Sequence, residues 1–113
     1  MKKITSHLLN GADGSHASDV RVKLIDNKTG MTMHELVSDS GGRLIIELPD
    51  EDIEQIHECQ LVIAAGEYWE KRGYDTTRLI NTIILQLDVS DGKDHHHLPV
   101  IMGPNTYSTW KSG

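Results

Sequence analysis

Histidines are the residues of this chain with the clearest capacity for chemistry. Seven of the 113 residues are histidine, and three of them stand together as His95-His96-His97. An imidazole with an ordinary pKa of about 6.5 exchanges protons at neutral pH, and its neutral form binds metals. In a strand, alternate side chains share a face, so His95 and His97 would point one way and His96 the other. The run therefore predicts two imidazoles on one surface.

A metal site is one alternative for this run. Two imidazoles on one face supply two ligands, whereas zinc sites usually have three or four protein ligands. Cys59 and the remaining histidines would have to complete the site, and no spacing pattern pairs them. We therefore predict no metal, and the commoner interpretation is an exposed histidine run at the entry to a strand. A metal-binding β-domain is kept as a competing hypothesis.

Two more side chains are candidates for a site, although each has a commoner structural role. His7 lies in an alternating N-terminal stretch, and an isolated histidine there is usually structural. Arg43 follows Gly41-Gly42, so it leaves a tight turn and enters a strand, where a solvated arginine at a sheet edge is common. The polar and aromatic segment 107–113 looks on composition like a frayed tail. These residues alone predict no reaction.

The elements that would position these side chains are mostly strands. Alternating or apolar runs, separated by turns rich in Gly, Asp, Asn, Ser and Pro, predict strands at 4–9, 20–25, 44–48, 59–64, 82–89 and 98–102. Turns at this spacing favour a two-sheet antiparallel β-sandwich over β-α-β units. Two short helices are predicted, at 51–57 and at 67–72.

Length and composition limit the class of protein. A chain of 113 residues predicts one domain, 1–113, with a thin core that contains no Phe, so an oligomer is expected. Hydrophobic residues at 37% and charged residues at 25% are typical of a soluble domain and exclude disorder.

Charge and local sequence also indicate partners and compartment. A net charge of −6 disfavours nucleic acid as a partner. The longest apolar stretch, 61–66, is far shorter than the ~20 residues of a membrane span. The single cysteine and the lack of an apolar signal segment predict a cytoplasmic location.

Taken in order, these segments resemble the 5-hydroxyisourate hydrolases, the enzyme branch of the transthyretin-like family. Residues 6–10 look like that family's Thr-His-Val-Leu-Asp opening, and residues 38–44 look like its Thr-Asp-x-Asp-Gly-Arg turn. Residues 95–99 are similar to its His-Tyr-His-Val-Pro segment, and residues 107–110 to its Tyr-Ser-Thr-Tyr segment. The pairing of these last two motifs at this separation is the most specific part of the resemblance.

The resemblance implies a prealbumin-type sandwich with one short helix, assembled as a homotetramer. It implies a catalytic set of His7, Arg43 and His97 at the dimer–dimer interface. Substrate contacts would come from the C-terminal segment: Tyr107, Lys111 and Ser112. The implied reaction opens the six-membered cyclic amide ring of 5-hydroxyisourate in urate catabolism, without a cofactor.

The hormone-carrier branch of the same family lacks this histidine–arginine set and continues further beyond the Tyr-Ser-Thr motif, so the resemblance favours the enzyme. The C-terminal segment nevertheless departs from the hydrolases. Lys111 replaces the usual arginine, and Ser112 stands one position before the usual terminal serine. An N-methylated substrate, or a small-molecule binding protein with altered catalysis, is therefore an alternative expectation.

Overall fold

Two four-stranded sheets form the fold in the computed structural model, which describes residues 2–49, 58–74 and 77–112. In chain order the strands and the helix are β1 (Lys2–Asn10), β2 (Arg21–Asp26), β3 (Thr32–Val37), β4 (Arg43–Leu48), β5 (Glu58–Ile63), α1 (Ala65–Lys71), β6 (Ile83–Asp88), β7 (His95–Gly103) and β8 (Thr106–Thr109). The helix predicted at 51–57 lies outside the described residues.

The strand order is β4-β1-β7-β8 in one sheet, called sheet 1, and β3-β2-β5-β6 in the other, called sheet 2. This arrangement confirms the two-sheet sandwich. Neighbouring strands are antiparallel except β1 and β7, which run parallel with Thr5 opposite His97. Parallel strands need a long connection between them, whereas antiparallel strands can be joined by a short hairpin. Most of the chain lies between β1 and β7, so their connection is long enough for parallel pairing.

The core lies between the sheets and follows the period of two in the strands. In β1, for example, Ile4, Ser6 and Leu8 are buried while Thr5 and His7 are more exposed. Trp69 of α1 is fully buried, and its ring meets Tyr68 and Tyr74 edge-on with centroids 5.1 and 4.8 Å apart. In a chain without Phe, these three rings supply bulky aromatic volume to the core and its rim.

Two of the differences between the predicted segments and the structure affect the site. β7 begins at His95, three residues before the predicted strand, so the whole histidine run belongs to it. The segment after Gly103 is not frayed, because residues 106–109 form β8 and the amide of Ser112 donates a 2.9 Å hydrogen bond to the carbonyl of His97. Composition does not predict this pairing, because β8 is stabilised by its pairing with β7 rather than by an apolar pattern of its own. Across the described residues, no helix has the length and apolarity needed to cross a membrane.

Candidate active site

Polar side chains from three adjacent strands meet on the outer face of sheet 1. β1 lies between β4 and β7, and its register places His7 opposite Arg43 and Thr5 opposite His97. Directly opposite residues point to the same face, and neighbouring strands are about 4.8 Å apart. The fold therefore brings His7, Arg43 and His97 to one surface, although they are far apart in the sequence.

The turn between β3 and β4 positions Arg43. Gly42 has φ +74°, and a side-chain carbon there would collide with the carbonyl oxygen of Leu8. The amide of Leu8 donates to the carbonyl of Gly42 at 2.7 Å, so the turn packs directly on β1. Asp39 Oδ1 accepts hydrogen bonds from the amides of Gly41, at 2.9 Å, and Arg43, at 2.8 Å. These contacts hold the start of β4 beside His7.

The Arg43 side chain is a cation that no neighbouring carboxylate neutralises. Within the described ranges, none of the ion pairs involves Arg43, and its neighbour Asp39 directs a carboxylate oxygen to backbone amides instead. The residue is exposed on the outer face. A planar guanidinium in this state is suited to bind a carbonyl-rich or anionic molecule by paired hydrogen bonds.

Thr5 forms hydrogen bonds with both His95 and His97, and sequence analysis did not predict these contacts. Its hydroxyl oxygen lies 2.7 Å from His97 Nδ1 and 2.8 Å from His95 Nε2. A hydroxyl donates one proton and can accept another, so it can donate to one ring while it accepts from the other. Because Nδ1 of His97 is engaged in this way, Nε2 is the nitrogen of His97 left for a bound molecule. The predicted common face of His95 and His97 is confirmed.

His16 is a second site residue that sequence reasoning missed. It lies in the loop between β1 and β2, which returns along β1 and forms an isolated bridge with Leu9. His16 Nδ1 is 2.9 Å from His7 Nε2, and the two rings stack with centroids 5.0 Å apart and an interplanar angle of 27°. No spacing pattern signals this contact, because it depends on how the loop folds back.

The surroundings lower the pKa of both His7 and His97 below the usual 6.5. Burial is the largest cause for each ring, and the positive charge of Arg43 is the next. His16 lowers the pKa of His7 further, while a hydrogen bond to the Gly41 backbone acts in the opposite direction. Both rings therefore favour the neutral form at pH 7, which can accept a proton.

The three predicted C-terminal contact residues are placed differently from one another. Ser112 bridges to His97 and therefore lies across from it. Lys111, one residue earlier, lines a small cleft with His96, His97 and Leu98.

Tyr107 is opposite Met102 and lines a separate cleft with Gly11 and Ile101. Within one subunit, Tyr107 therefore does not join the three predicted catalytic residues, whereas Lys111 shares a cleft with one of them, His97. Distance along β8 is the reason for the position of Tyr107. Their predicted contacts with substrate stay predictions.

The competing metal hypothesis receives no support from the geometry. In the portion of the chain that the structure describes, no three His, Cys, Asp or Glu side chains are placed to hold a metal ion. His96 faces away from His95 and His97, and its Nε2 lies 3.2 Å from Asp91 Oδ1.

The sheet order, the helix after β5 and the histidine–arginine face together define a transthyretin-like β-sandwich with a polar site on sheet 1. Comparison with known proteins agrees with this class. The chain belongs to the HIUase/Transthyretin family, whose family model matches residues 4–112.

Individual comparisons agree with this assignment. The chain is 29% identical to the 5-hydroxyisourate hydrolase of Deinococcus radiodurans, over 96% of this chain and 93% of that protein. Its fold matches that of Klebsiella pneumoniae 5-hydroxyisourate hydrolase with a TM-score of 0.81 and 24% identity, over 100% of both chains.

It also matches sea bream transthyretin in complex with thyroxine, with a TM-score of 0.79 and 18% identity, over 96% of this chain and 93% of that one. Proteins of Pseudomonas aeruginosa and Ralstonia nicotianae that align with 98% of the chain are also named 5-hydroxyisourate hydrolase. The relatives are hydrolases, which supports the predicted enzyme.

Proposed function

We propose that this protein hydrolyses the six-membered cyclic amide ring of 5-hydroxyisourate, a step in purine catabolism. One observation carries the proposal: His7, Arg43 and His97 emerge on one face, where the cation has no carboxylate partner among the described residues. The names of the relatives supply the substrate.

Ring opening needs a base for water, a donor for the developing oxyanion and an acid for the leaving nitrogen. His7 and His97 are neutral at pH 7 because their pKa values are lowered, so together they can take a proton from water. The water oxygen then bonds to the ring carbonyl carbon, and the carbon–nitrogen bond breaks as the imidazolium returns its proton to nitrogen. General acid–base help of this kind contributes about 10²–10⁴-fold.

Arg43 stabilises the charge that develops on the carbonyl oxygen. Its position is set before substrate binds, because the turn at Gly42 and the Asp39 hydrogen bonds hold the start of β4. A donor that needs no rearrangement during the reaction contributes more than one that must be reoriented. The same guanidinium would orient the carbonyl-rich substrate by two parallel hydrogen bonds.

We further infer that the whole chain, 1–113, is one domain and that the site lies at the interface of a homotetramer. Large apolar side chains of the same outer face are exposed, including Ile45 at 62% and Ile101 at 36%. A second subunit over this face would cover them and exclude water from the histidines and Arg43. A cytoplasmic location stays a prediction.

The test is an ultraviolet assay in which urate oxidase generates 5-hydroxyisourate in situ and the decay of its absorbance is followed. The protein should accelerate the decay, and His97→Ala should lower kcat by about 10²-fold or more. His34→Ala, which removes a histidine from β3 of sheet 2, is the matched control and should retain activity. Retention of activity in His97→Ala would contradict the site assignment.

Absence of acceleration by the intact protein would contradict unmodified 5-hydroxyisourate as the substrate, and N-methylated hydroxyisourates would be tested next.

A small-molecule binding protein with altered catalysis is the second candidate. The observation that favours it is the placement of Tyr107, which lines a cleft away from the three predicted catalytic residues. Failure of every hydroxyisourate as a substrate, together with retained binding that Arg43→Ala abolishes, would support this candidate over the enzyme.

A further inference from the structure

We propose that His16 and His7 act as one two-imidazole acid–base pair, in which His16 Nε2 receives the proton of the attacking water. This inference rests on the proposed hydrolase function and adds a catalytic residue to it. It is carried by the hydrogen-bond distance between the two rings and by the way the loop holds His16 there.

Only one proton can occupy the hydrogen bond between the two rings. His7 Nε2 and His16 Nδ1 are 2.9 Å apart, the ordinary distance of a hydrogen bond. In a neutral imidazole one nitrogen donates and the other accepts, so the tautomer of one ring decides the tautomer of the other. The protonated nitrogen of one ring therefore fixes the hydrogen-bonding role of the other ring.

The backbone of Gly41 favours one direction of this hydrogen bond over the other. Its hydrogen bond to His7 raises the pKa of that ring, as expected when the ring donates a proton to a carbonyl. Since Nε2 of His7 faces His16, we assign this donation to Nδ1. His7 Nε2 then carries the lone pair and accepts from His16 Nδ1, so the lone pair that stays free is on His16 Nε2.

The proton balance follows from this arrangement. A water O–H bond breaks and its proton goes to His16 Nε2, while the His16 Nδ1 proton moves to His7 Nε2. The positive charge then lies on His7, whose Nδ1–H is stabilised by the Gly41 carbonyl. Arg43 on β4 and His97 on β7 are the other charged or titratable groups that act on His7, and both oppose this charge. The return transfer delivers the proton to the leaving nitrogen.

The relative exposure of the two rings supports a proton transfer that reaches His16 first and His7 second. His16 is exposed and His7 is partly buried, so a water or substrate arriving from solvent meets His16 first. With His16 hydrogen-bonded to its Nε2, His7 receives the water proton through His16 rather than directly.

The loop that carries His16 is anchored on both sides of it. The amide of Ala17 donates to the carbonyl of Leu8 at 2.9 Å, and the amide of Asn10 donates to the carbonyl of Ser15 at 2.8 Å. Earlier in the loop, Asp13 forms a 2.8 Å ion pair with Arg72 at the end of α1. His16 is therefore positioned by the backbone and does not depend on the ring contact alone.

Three substitutions at His16 test the proton transfer by activity. His16→Phe keeps a ring for stacking but removes both nitrogens. His16→Asn keeps an amide donor near the Nδ1 position but cannot carry a proton. Both should lower kcat by about tenfold or more, because general acid–base steps contribute about 10²–10⁴-fold. Added imidazole should restore part of the activity of His16→Ala.

The matched control is His34→Phe in sheet 2, which should keep kcat near that of the unsubstituted protein. If His16→Phe and His16→Asn both keep kcat within about threefold, below the range of a general acid–base effect, the inference is overturned. Full activity in His16→Asn alone would also overturn it, because His16 would then only position His7.

Nitrogen-15 NMR of the imidazoles in the whole protein gives a readout that does not require activity. In the unsubstituted protein the nitrogen chemical shifts should show that the neutral rings of His7 and His16 both carry their proton on Nδ1, and His16→Phe should change the shift of His7 Nε2. A neutral His7 ring with its proton on Nε2, or no change at His7 Nε2 in His16→Phe, would overturn the pair.

The two proposals can fail separately. If the intact protein hydrolyses 5-hydroxyisourate and the His16 variants do also, only the role of His16 is wrong. If the intact protein is inactive on every hydroxyisourate, the proposed function is wrong and the catalytic role of His16 falls with it.

Discussion

The two sheets share one core, but they differ in whether the cationic side chains on their outer faces are paired with carboxylates. On sheet 2, cations are paired: Lys23 lies 3.6 Å from Glu35, and Arg21 at the start of β2 lies 3.5 Å from Glu67. On sheet 1, Arg43 at the start of β4 has no such partner among the described residues. Exposed pairs like those of sheet 2 contribute little stability and leave no group free for binding. The same scaffold therefore has one solvated face and one face suited to chemistry.

The largest expected difference in activity is between substitutions of the two arginines that begin β4 and β2. Arg43→Ala should lower kcat/KM by about 10²–10³-fold, because it removes the donor for the oxyanion. Arg21→Ala, on the solvated face, should change kcat/KM by less than about twofold, since an exposed ion pair contributes at most ~1 kcal/mol. Steady-state kinetics with 5-hydroxyisourate provides the measurement. Equal losses in both variants would contradict the assignment of the site to sheet 1.

A second comparison uses two glycines that have the same backbone conformation. Gly42 and Gly30 both have φ +74°, but a side-chain carbon at Gly42 would collide with Leu8, whereas at Gly30 it meets open space. Gly30→Ala should cost about 1–2 kcal/mol of unfolding free energy for its left-handed backbone. Gly42→Ala should cost about 1–3 kcal/mol more from overpacking, and it should also lower activity by displacing Arg43.

Chemical denaturation measures both glycine variants, with kinetics on the folded fraction. If the two substitutions have the same unfolding free energy and activity, the turn does not position Arg43 as described.

A smaller effect is expected for the hydroxyl that connects two histidines. Thr5→Val keeps the shape of the side chain but removes its hydrogen bonds to His95 and His97. Because Thr5 acts through His97 as a positioning residue, kcat should fall by about tenfold, the equivalent of ~1.4 kcal/mol, with little change in KM. Thr32→Val in β3 of sheet 2 is the control. A change confined to KM would show that Thr5 does not act on the chemical step.

The smallest effect concerns stability against pH. The pKa values of His7, His96 and His97 are all lowered, chiefly by burial, so below pH 6.5 the unfolded chain binds more protons than the folded one. The free energy of unfolding should therefore fall as the pH drops below 6.5, by at most about 1.4 kcal/mol per pH unit for each histidine. Urea denaturation at pH 7.0 and 5.5 measures it.

The doubly substituted His7→Gln/His97→Gln protein should lose less stability over the same pH interval. A rise in stability on acidification would contradict the direction of the pKa shifts.

Periodicity and turn chemistry predicted most of the fold because each strand carries its own signal. The predicted strand at 44–48 matches β4, and the predicted helix at 67–72 overlaps α1, which begins two residues earlier. The weakest predictions concern segments held by a neighbour. Residues 106–109 have little apolar pattern of their own, and they form a strand because β7 offers them an edge to pair with.

The candidate site shows the same division. Strand alternation alone places His95 and His97 on one face, and the structure confirms it. The family resemblance named His7 and Arg43, but the residues themselves carried no signal that the two would be cross-strand neighbours. Thr5 and His16 were missed because each acquires its role from a contact across strands or across a folded loop.

What the sequence by itself determined is therefore the sandwich class, the alternation of each strand and the identity of the groups able to exchange protons. These are local properties, because they follow from the spacing of apolar residues and from the residues of the turns. The tertiary structure decided which of these groups meet. It placed His16 on His7, set Thr5 between two rings and brought Lys111 into a cleft with His96 and His97. Contacts of this kind depend on strand register and loop path, and no run of neighbouring residues encodes them alone.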